Sequence, residues 1–343
     1  MNNPNQNINL NSEQTEALKE IEHFLHSDIP IFILKGYAGT GKTTLLKSLV
    51  ERLSAEDRTF SLAAPTGRAA NVISGRTGRR ASTIHKAIYN FHDVIEYAVA
   101  DETGEETFKF YFDLNNNESV NNHIFSVDEA SMLSDVYSEG EFFRFGSGRL
   151  LYDLMEYCKI GTPNCTNKIL FIGDSAQLPP MGMDFSPALS AEYLEDNYRT
   201  QTMGFELVTV HRQNEGNKIL DLSLELRNSI NKNYFSYFHI TPNNESIFEP
   251  THANFFETYF KNERNTIMVA YKNKTAHDFN QQIRKIKFPD AQHITAGDHI
   301  IVGRNNYPHS IYNGEFGIVI SSKSAVIKRN IPVYVNGEPK IIP

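Results

Sequence analysis

Apolar positions along the chain switch repeatedly between two periods, and the switching predicts an α/β fold. After a cap at Asn11 or Ser12, Leu18, Ile21 and Leu25 recur at helical spacing. Pro30 opens a short continuous apolar run, Phe32-Ile33-Leu34, of the kind that forms a strand buried on both faces; Leu45, Leu46, Leu49, Val50 and Leu53 then return to the helical period. The same alternation continues with Phe60-Ser61-Leu62-Ala63-Ala64, with Ile124-Phe125-Ser126-Val127 and with Ile169-Leu170-Phe171-Ile172, each read as a buried strand. Between the second and third strands the rhythm is interrupted. Val94 to Ala100 and Thr107 to Phe112 are β-rich and flank Asp101-Glu102-Thr103-Gly104-Glu105, which reads as a hairpin.

Beyond Pro187 the chain becomes more polar, and a second organisation begins. Ile219, Leu222, Leu226 and Ile230 share one helical face, Ile267 to Tyr271 reads as a strand, and Ala276, Phe279, Ile283 and Ile286 mark the helix after it. Three short strands close the pattern, at His299–Val302, Phe316–Ile320 and Pro332–Val335, with Asn313-Gly314 and Asn336-Gly337 as turns.

Bulk properties narrow this picture only slightly. A chain of 343 residues is long enough for two cores, and no apolar run is long enough to span a bilayer. The polar start, Met1 to Asn7, lacks a charged-then-apolar pattern, so a disordered lead without export is expected. Cys158 and Cys165 are the two cysteines, too few for a disulfide framework, which fits a cytoplasmic protein. The net charge of −8 argues against a broadly basic nucleic-acid surface but leaves room for a local basic groove. Arg76, Arg79 and Arg80 form a basic cluster that reads either as a solvated face or as a phosphate-backbone contact.

The chemistry centres on Gly36-Tyr37-Ala38-Gly39-Thr40-Gly41-Lys42-Thr43-Thr44, between a strand and a helix. The glycines free the backbone to aim N–H groups at phosphate oxygens, Lys42 supplies a point charge near the β and γ phosphates, and the Thr43 hydroxyl is a ligand for Mg²⁺. At the end of a later strand, Asp128-Glu129 offers one carboxylate to hold the metal and a second to deprotonate an attacking water. Gln177, after Gly173-Asp174, is an uncharged amide suited to reading the γ-phosphate. Thr66 and Arg68 follow the carboxyl end of a strand, where open α/β sheets place ligand contacts. On spacing alone Gln14 reads as an ordinary first-turn residue, and Arg212 as a surface arginine before a helix.

With these motifs in this order, the chain resembles superfamily 1 DNA helicases of the RecD-like, Dda-like branch, whose members move 5′ to 3′ on single strands. The resemblance is carried by Gln14, the phosphate loop, Ala64-Pro65-Thr66-Gly67-Arg68-Ala69-Ala70, Ser82-Thr83-Ile84-His85, Asp128-Glu129-Ala130-Ser131, Gly173-Asp174-Ser175-Ala176-Gln177-Leu178-Pro179-Pro180 and Val210-His211-Arg212-Gln213. Tyr271-Lys272-Asn273-Lys274 and Gly297 to Gly317 match its second half, so coverage runs from Leu10 to the end.

This resemblance implies an α/β P-loop NTPase with two RecA-like cores, the second incomplete. Expected divisions are a disordered lead over 1–10, a first core over 11–205 with a β-hairpin insertion at about 90–122, a partial second core over 206–297, and over 298–343 the start of a small SH3-like, β-barrel-like module. ATP and Mg²⁺ are the implied cofactors, with Lys42, Glu129, Gln177 and Arg212 catalytic. Nucleotide contacts fall to Gln14, Gly36, Ala38, Gly39, Thr40, Gly41, Lys42, Thr43 and Thr44, with Gln14 on the adenine, and Mg²⁺ to Thr43 and Asp128. Gln177 couples the γ-phosphate to the DNA site, and Arg212 is an arginine finger from the second core. Pro65, Thr66, Arg68, Thr83 and His85 are the implied strand contacts, and Arg68 and His85 are expected to set the salt dependence of binding.

Implied partners are single-stranded DNA, duplex junctions and replication, recombination or repair proteins, for a monomer acting away from membranes. The family's last two motifs would follow the small β module. The chain stops at Pro343 before them, so a truncated form is expected that binds nucleotide and need not unwind. The alternative function is an ATP-switched DNA-binding or loading protein without unwinding activity.

Overall fold

The computed structural model describes residues 10–100, 106–117, 121–140, 143–210, 218–232, 234, 240–243, 246–249, 251, 254–303, 315–322, 331–335 and 338–342. The chain divides into two units, one comprising Met1–Arg212, Gly303–Gly314 and Ile327–Pro343, the other Gln213–Val302 and Glu315–Val326. The first unit runs α1 (Ser12–His26), β1 (Ile31–Gly36), α2 (Lys42–Ala55), β2 (Phe60–Ala64), α3 (Gly67–Thr77), β3 (Ala81–Thr83), α4 (Ile84–Ile88), β4 (Tyr89–Ala100) and β5 (Glu106–Leu114). It continues with β6 (Ile124–Val127), β7 (Phe143–Phe145), α5 (Leu150–Tyr157), β8 (Lys168–Gly173), α6 (Ala191–Tyr198) and β9 (Thr202–Leu207). The second unit holds α7 (Lys218–Asn231), α8 (Phe255–Lys261), α9 (Asn273–Lys287), β10 (His299–Ile301) and β11 (Phe316–Ile318), after which β12 (Ile331–Val335) and β13 (Glu338–Ile342) return to the first.

Six strands form one parallel sheet in the order β3-β2-β6-β8-β1-β9. Its interior strands are continuous apolar runs because helices cover both faces, and the two-residue period of a strand sorts their side chains into two cores. Ile31, Ile33, Phe125, Val127, Ile169 and Phe171 pack with Leu151, Leu154 and Met155 of α5 and Leu194 of α6. Their neighbours Phe32, Leu34, Ile124, Leu170 and Ile172 face the other way, onto Ile21 and Phe24 of α1, Leu45 and Leu49 of α2 and Ile73 of α3. β1 thus runs between β8 and β9 with its carboxyl end at the phosphate loop.

A second sheet, β13-β12-β4-β5-β7, is built on the antiparallel pair β4–β5. The aromatic segment between Ser138 and Gly148 supplies β7, which pairs with β5 in parallel (Phe110 with Phe143, Phe112 with Phe145). The Phe112 and Phe145 rings stack at 4.8 Å, and Phe145 lies 5.2 Å from Tyr89. Pro332–Val335 was expected beside His299–Val302 and Phe316–Ile320; instead it lies in β12, pairing with β13 and, at Val335, with Val94 of β4. A short apolar run specifies a strand but not its partner, because a ladder is made of backbone groups common to every sequence.

This sheet is anchored by a buried carboxylate. Asp153 of α5 accepts the Tyr89 hydroxyl at 2.7 Å and the Ser147 N–H at 3.1 Å. Burial, then the Asp153 hydrogen bond and charge, push the Tyr89 hydroxyl far above the usual phenol range, so it stays a donor. Asp153→Ala would leave that hydroxyl buried without its acceptor. The expected destabilisation is about 2–3 kcal/mol, read as a lower denaturation midpoint at unchanged m-value.

In the second unit, Arg284 near the end of α9 donates from Nε to Asp298 at 3.1 Å and from Nη1 to the Ala291 carbonyl at 3.3 Å, tying the helix to the turn before β10. β10 and β11 pair antiparallel. Ile267–Tyr271, expected as a strand, pairs with no strand among the described residues; Val269 and Tyr271 are 90% and 99% exposed. Its apolar β-branched composition carries strand propensity, but a strand forms only where a second strand takes up its backbone groups.

Candidate nucleotide site

The site forms where β1, β6 and β8 end side by side. Beyond Gly36 the chain turns through Gly39 (φ 90°) and Gly41 (φ 86°), a left-handed geometry that residues with a Cβ avoid, and enters α2 at Lys42. Gly41 also lies against the Gln14 amide: a Cβ there would be 2.2 Å from its Nε2. Thr40 is fully buried, its hydroxyl donating to the Tyr37 carbonyl at 2.9 Å. The Lys42 ammonium donates to the Gly36 and Tyr37 carbonyls at 2.7 and 3.1 Å, which holds the charge inside the loop's curvature. Ala38 is exposed at the loop's outer face, and Thr43 and Thr44 are half-buried in the first turn of α2. Gln14 closes a capping box with Asn11 at the start of α1, and its amide donates to the Thr40 carbonyl at 2.9 Å. The first-turn residue and the loop contact are therefore the same side chain.

Across β8 lies the acidic half. Asp128 is buried, and its Oδ1 accepts the Glu129 N–H at 2.9 Å. Burial raises its pKa above the usual carboxylate range, against the lowering effects of that hydrogen bond and of Lys42. Glu129 sits in the left-handed region, at φ 53° and ψ 37°, a conformation that costs a non-glycine residue about 1–3 kcal/mol and aims it away from the strand direction. Its carboxyl is also raised, first by burial and then by Asp128, with Lys42 opposing and Asp174 adding. The sheet order thus brings Lys42, Asp128, Glu129 and Asp174 into one electrostatic group.

Asp174 is the member that residue-by-residue reading passed over, although it stands within a quoted motif. It is buried, follows β8 between the other two strand ends, and shapes its turn by accepting the Ala176 N–H at 3.0 Å. Gln177 is exposed, with its N–H on the Asp174 carbonyl at 3.1 Å. Behind Glu129, Asp135 fastens the following loop: its Oδ2 accepts Arg149 at 3.0 Å and the Tyr193 and Tyr198 hydroxyls at 2.8 Å.

The expected strand contacts lie at neighbouring strand ends, since Ala64 of β2 pairs with Thr83 of β3. Thr66 and Thr83 are the N-caps of α3 and α4, accepting the Ala69 and Lys86 N–H groups at 3.2 and 3.3 Å. Pro65 is half-buried and Arg68 exposed. His85 packs against Phe145 (5.2 Å) and Tyr89 (5.6 Å), and burial lowers its pKa against the opposing charge of Asp153. Arg79 and Arg80 precede β3 while Thr83 closes it, so they belong to the sheet edge opposite the loop, and Arg76 lies in the last turn of α3 leading there. That placement favours the solvated-face reading. Arg212 lies outside the described residues.

The donor set fits a magnesium nucleotide: a left-handed glycine loop opening a helix, an ammonium inside it, and a hydroxyl and a carboxylate for a hard cation. Fold and site together define a P-loop nucleotide-binding domain. Residues 9–139 match the family described as an AAA domain. The chain is 23% identical over 328 residues to uncharacterized protein R530 of Acanthamoeba polyphaga mimivirus, covering 88% of this chain and 61% of that protein. It is 25% identical over 311 residues to the ATP-dependent DNA helicase dda of Enterobacteria phage T4, covering 84% and 58%. It is 27% identical over 172 residues to the ATP-dependent RecD2 DNA helicase of Deinococcus radiodurans, covering 50% and 18%. The chain is similar to these two helicases, and it spans at most about three fifths of the lengths of the proteins it matches. Among the described residues no helix is long and apolar enough to cross a membrane.

Proposed function

We propose that this chain hydrolyses ATP and couples the hydrolysis to movement on single-stranded DNA, 5′ to 3′, as part of a helicase. The observation that carries the reading is the convergence of Lys42, Asp128, Glu129 and Asp174 at three adjacent strand ends. It is supported by the relatives dda and RecD2, both named ATP-dependent DNA helicases. Lys42 and the loop N–H groups bind the phosphates, and Gln14 is assigned to the base. Thr43 and Asp128 would hold Mg²⁺, which when bound neutralises phosphate charge and orients the reacting group. Glu129 takes the proton of the attacking water, Gln177 reports the γ-phosphate to the DNA side, and Arg212 is assigned the role of arginine finger. Two RecA-like cores, with the β10–β11 pair as the start of an SH3-like module, form the proposed frame.

Displacement of 5′-tailed against 3′-tailed duplexes tests the reading. Unwinding of the 5′-tailed substrate is expected; nucleotide-gated DNA binding with no displacement of either would identify a loading protein instead.

On the DNA side, the salt dependence is assigned to Arg68. Burial lowers the His85 pKa and so favours the uncharged ring, and its assigned contact with a strand is stacking rather than charge. Arg68→Ala is expected to reduce the log–log salt slope of single-strand binding by ~0.7, with His85→Ala weakening affinity at unchanged slope. Titrations at several salt concentrations read both.

A further inference from the structure

We propose that Glu13 is a positioning residue through which the phosphate loop controls the chain leaving β9. The two oxygens of its carboxylate accept consecutive backbone N–H groups, Val208 at 2.9 Å and Thr209 at 3.0 Å. These amides lie just past Gly36–Leu207, the last pair of β1 and β9, where the ladder no longer holds the chain. On its other side the same segment is tied to the loop, because the Leu207 carbonyl accepts the Tyr37 N–H at 3.2 Å. Residues 207–209 are thus gripped from two directions.

What makes the grip responsive is the residue beside it. Gln14 belongs to the same helical turn, locked by the capping box, and its amide rests on the Thr40 carbonyl. That amide also fills the space beside Gly41, where a Cβ would be only 2.2 Å away. Because the Gln14 amide is hydrogen-bonded to the Thr40 carbonyl, a loop that rearranges around phosphates acts on Gln14. The stiff first turn of α1 carries Glu13 with it, and Glu13 draws or releases Val208 and Thr209. The segment so moved leads directly to His211 and Arg212. A solvated glutamate in a first turn needs no such partners, and a purely structural clasp would not respond to nucleotide.

The inference rests on the nucleotide-site reading, and amide hydrogen exchange on the whole chain separates the two. Without nucleotide, Glu13→Ala is expected to speed exchange at Val208 and Thr209 by about tenfold or more, the loss of a charge-assisted hydrogen bond. With Mg²⁺ and a non-hydrolysable ATP analogue, exchange there shifts in the wild-type protein and not in Glu13→Ala, while the analogue's Kd stays within about threefold. Glu13→Gln, which keeps the side-chain length but presents an acceptor to one amide only, is the second variant and gives an intermediate response. Unchanged exchange in both variants, or a nucleotide response that persists at its wild-type size in Glu13→Ala, overturns the proposal. If the wild-type protein binds the analogue and exchange at these amides does not move, the coupling fails alone; if it binds no analogue, the site reading fails and the coupling with it.

Discussion

Lys42→Ala is expected to reduce ATP hydrolysis by about 10²–10³, the usual loss when one preorganised charge-stabilising donor is removed. The Lys42 ammonium is held at 2.7 and 3.1 Å from the Gly36 and Tyr37 carbonyls, contacts that keep it within the loop rather than in solvent. It also lowers the pKa values of Asp128 and Glu129, which burial has raised. Its loss therefore removes a phosphate contact and leaves the carboxylates harder to ionise. Binding of a fluorescent ATP analogue should weaken in parallel, with the far-ultraviolet circular dichroism unchanged. Undiminished turnover would remove Lys42, and with it the loop, from the active site.

Glu129→Gln separates chemistry from binding. The amide keeps the shape but not the basicity, so turnover should fall by about 10²–10⁴, the range of general-base contributions, while nucleotide binding persists. The pH dependence provides a second signature. Burial, Asp128 and Asp174 raise the Glu129 pKa and Lys42 opposes them; the carboxyl therefore remains protonated, and inactive as a base, to higher pH than an ordinary glutamate. The acid limb of kcat/KM should lie above the usual carboxylate range in the wild-type protein and disappear from the residual activity of Glu129→Gln. An identical acid limb in both would assign the base to another residue.

Much of the first unit was legible because its decisive features are local. The phosphate loop is a run of consecutive residues between a buried strand and a helix, and Asp128-Glu129 ends a run whose burial its own composition announces. What stayed hidden depends on pairing across long sequence distances. β9 alternates Thr-Met-Gly-Phe-Glu-Leu along a sheet edge, a weak strand signal with a glycine in its middle, yet it is the strand that sets Leu207 beside Gly36. Asp174 becomes part of the acidic group only because β8 falls between β6 and β1. Glu13 looks like any first-turn acid until residues far along the chain supply its donors. His85 was read as a strand contact from its motif alone, and only the fold surrounds it with Tyr89 and Phe145. Arg76, Arg79 and Arg80 are close in sequence to Thr83, but one parallel strand separates the ends of the sheet on which they lie.

Steady-state ATP hydrolysis, measured with and without single-stranded DNA, tests the central claim most directly. A P-loop site that drives movement on DNA should turn over slowly alone and several-fold faster when a single-stranded oligonucleotide is added, with the stimulation lost in Glu129→Gln. ATP binding accompanied by a turnover rate that DNA leaves unchanged would contradict it.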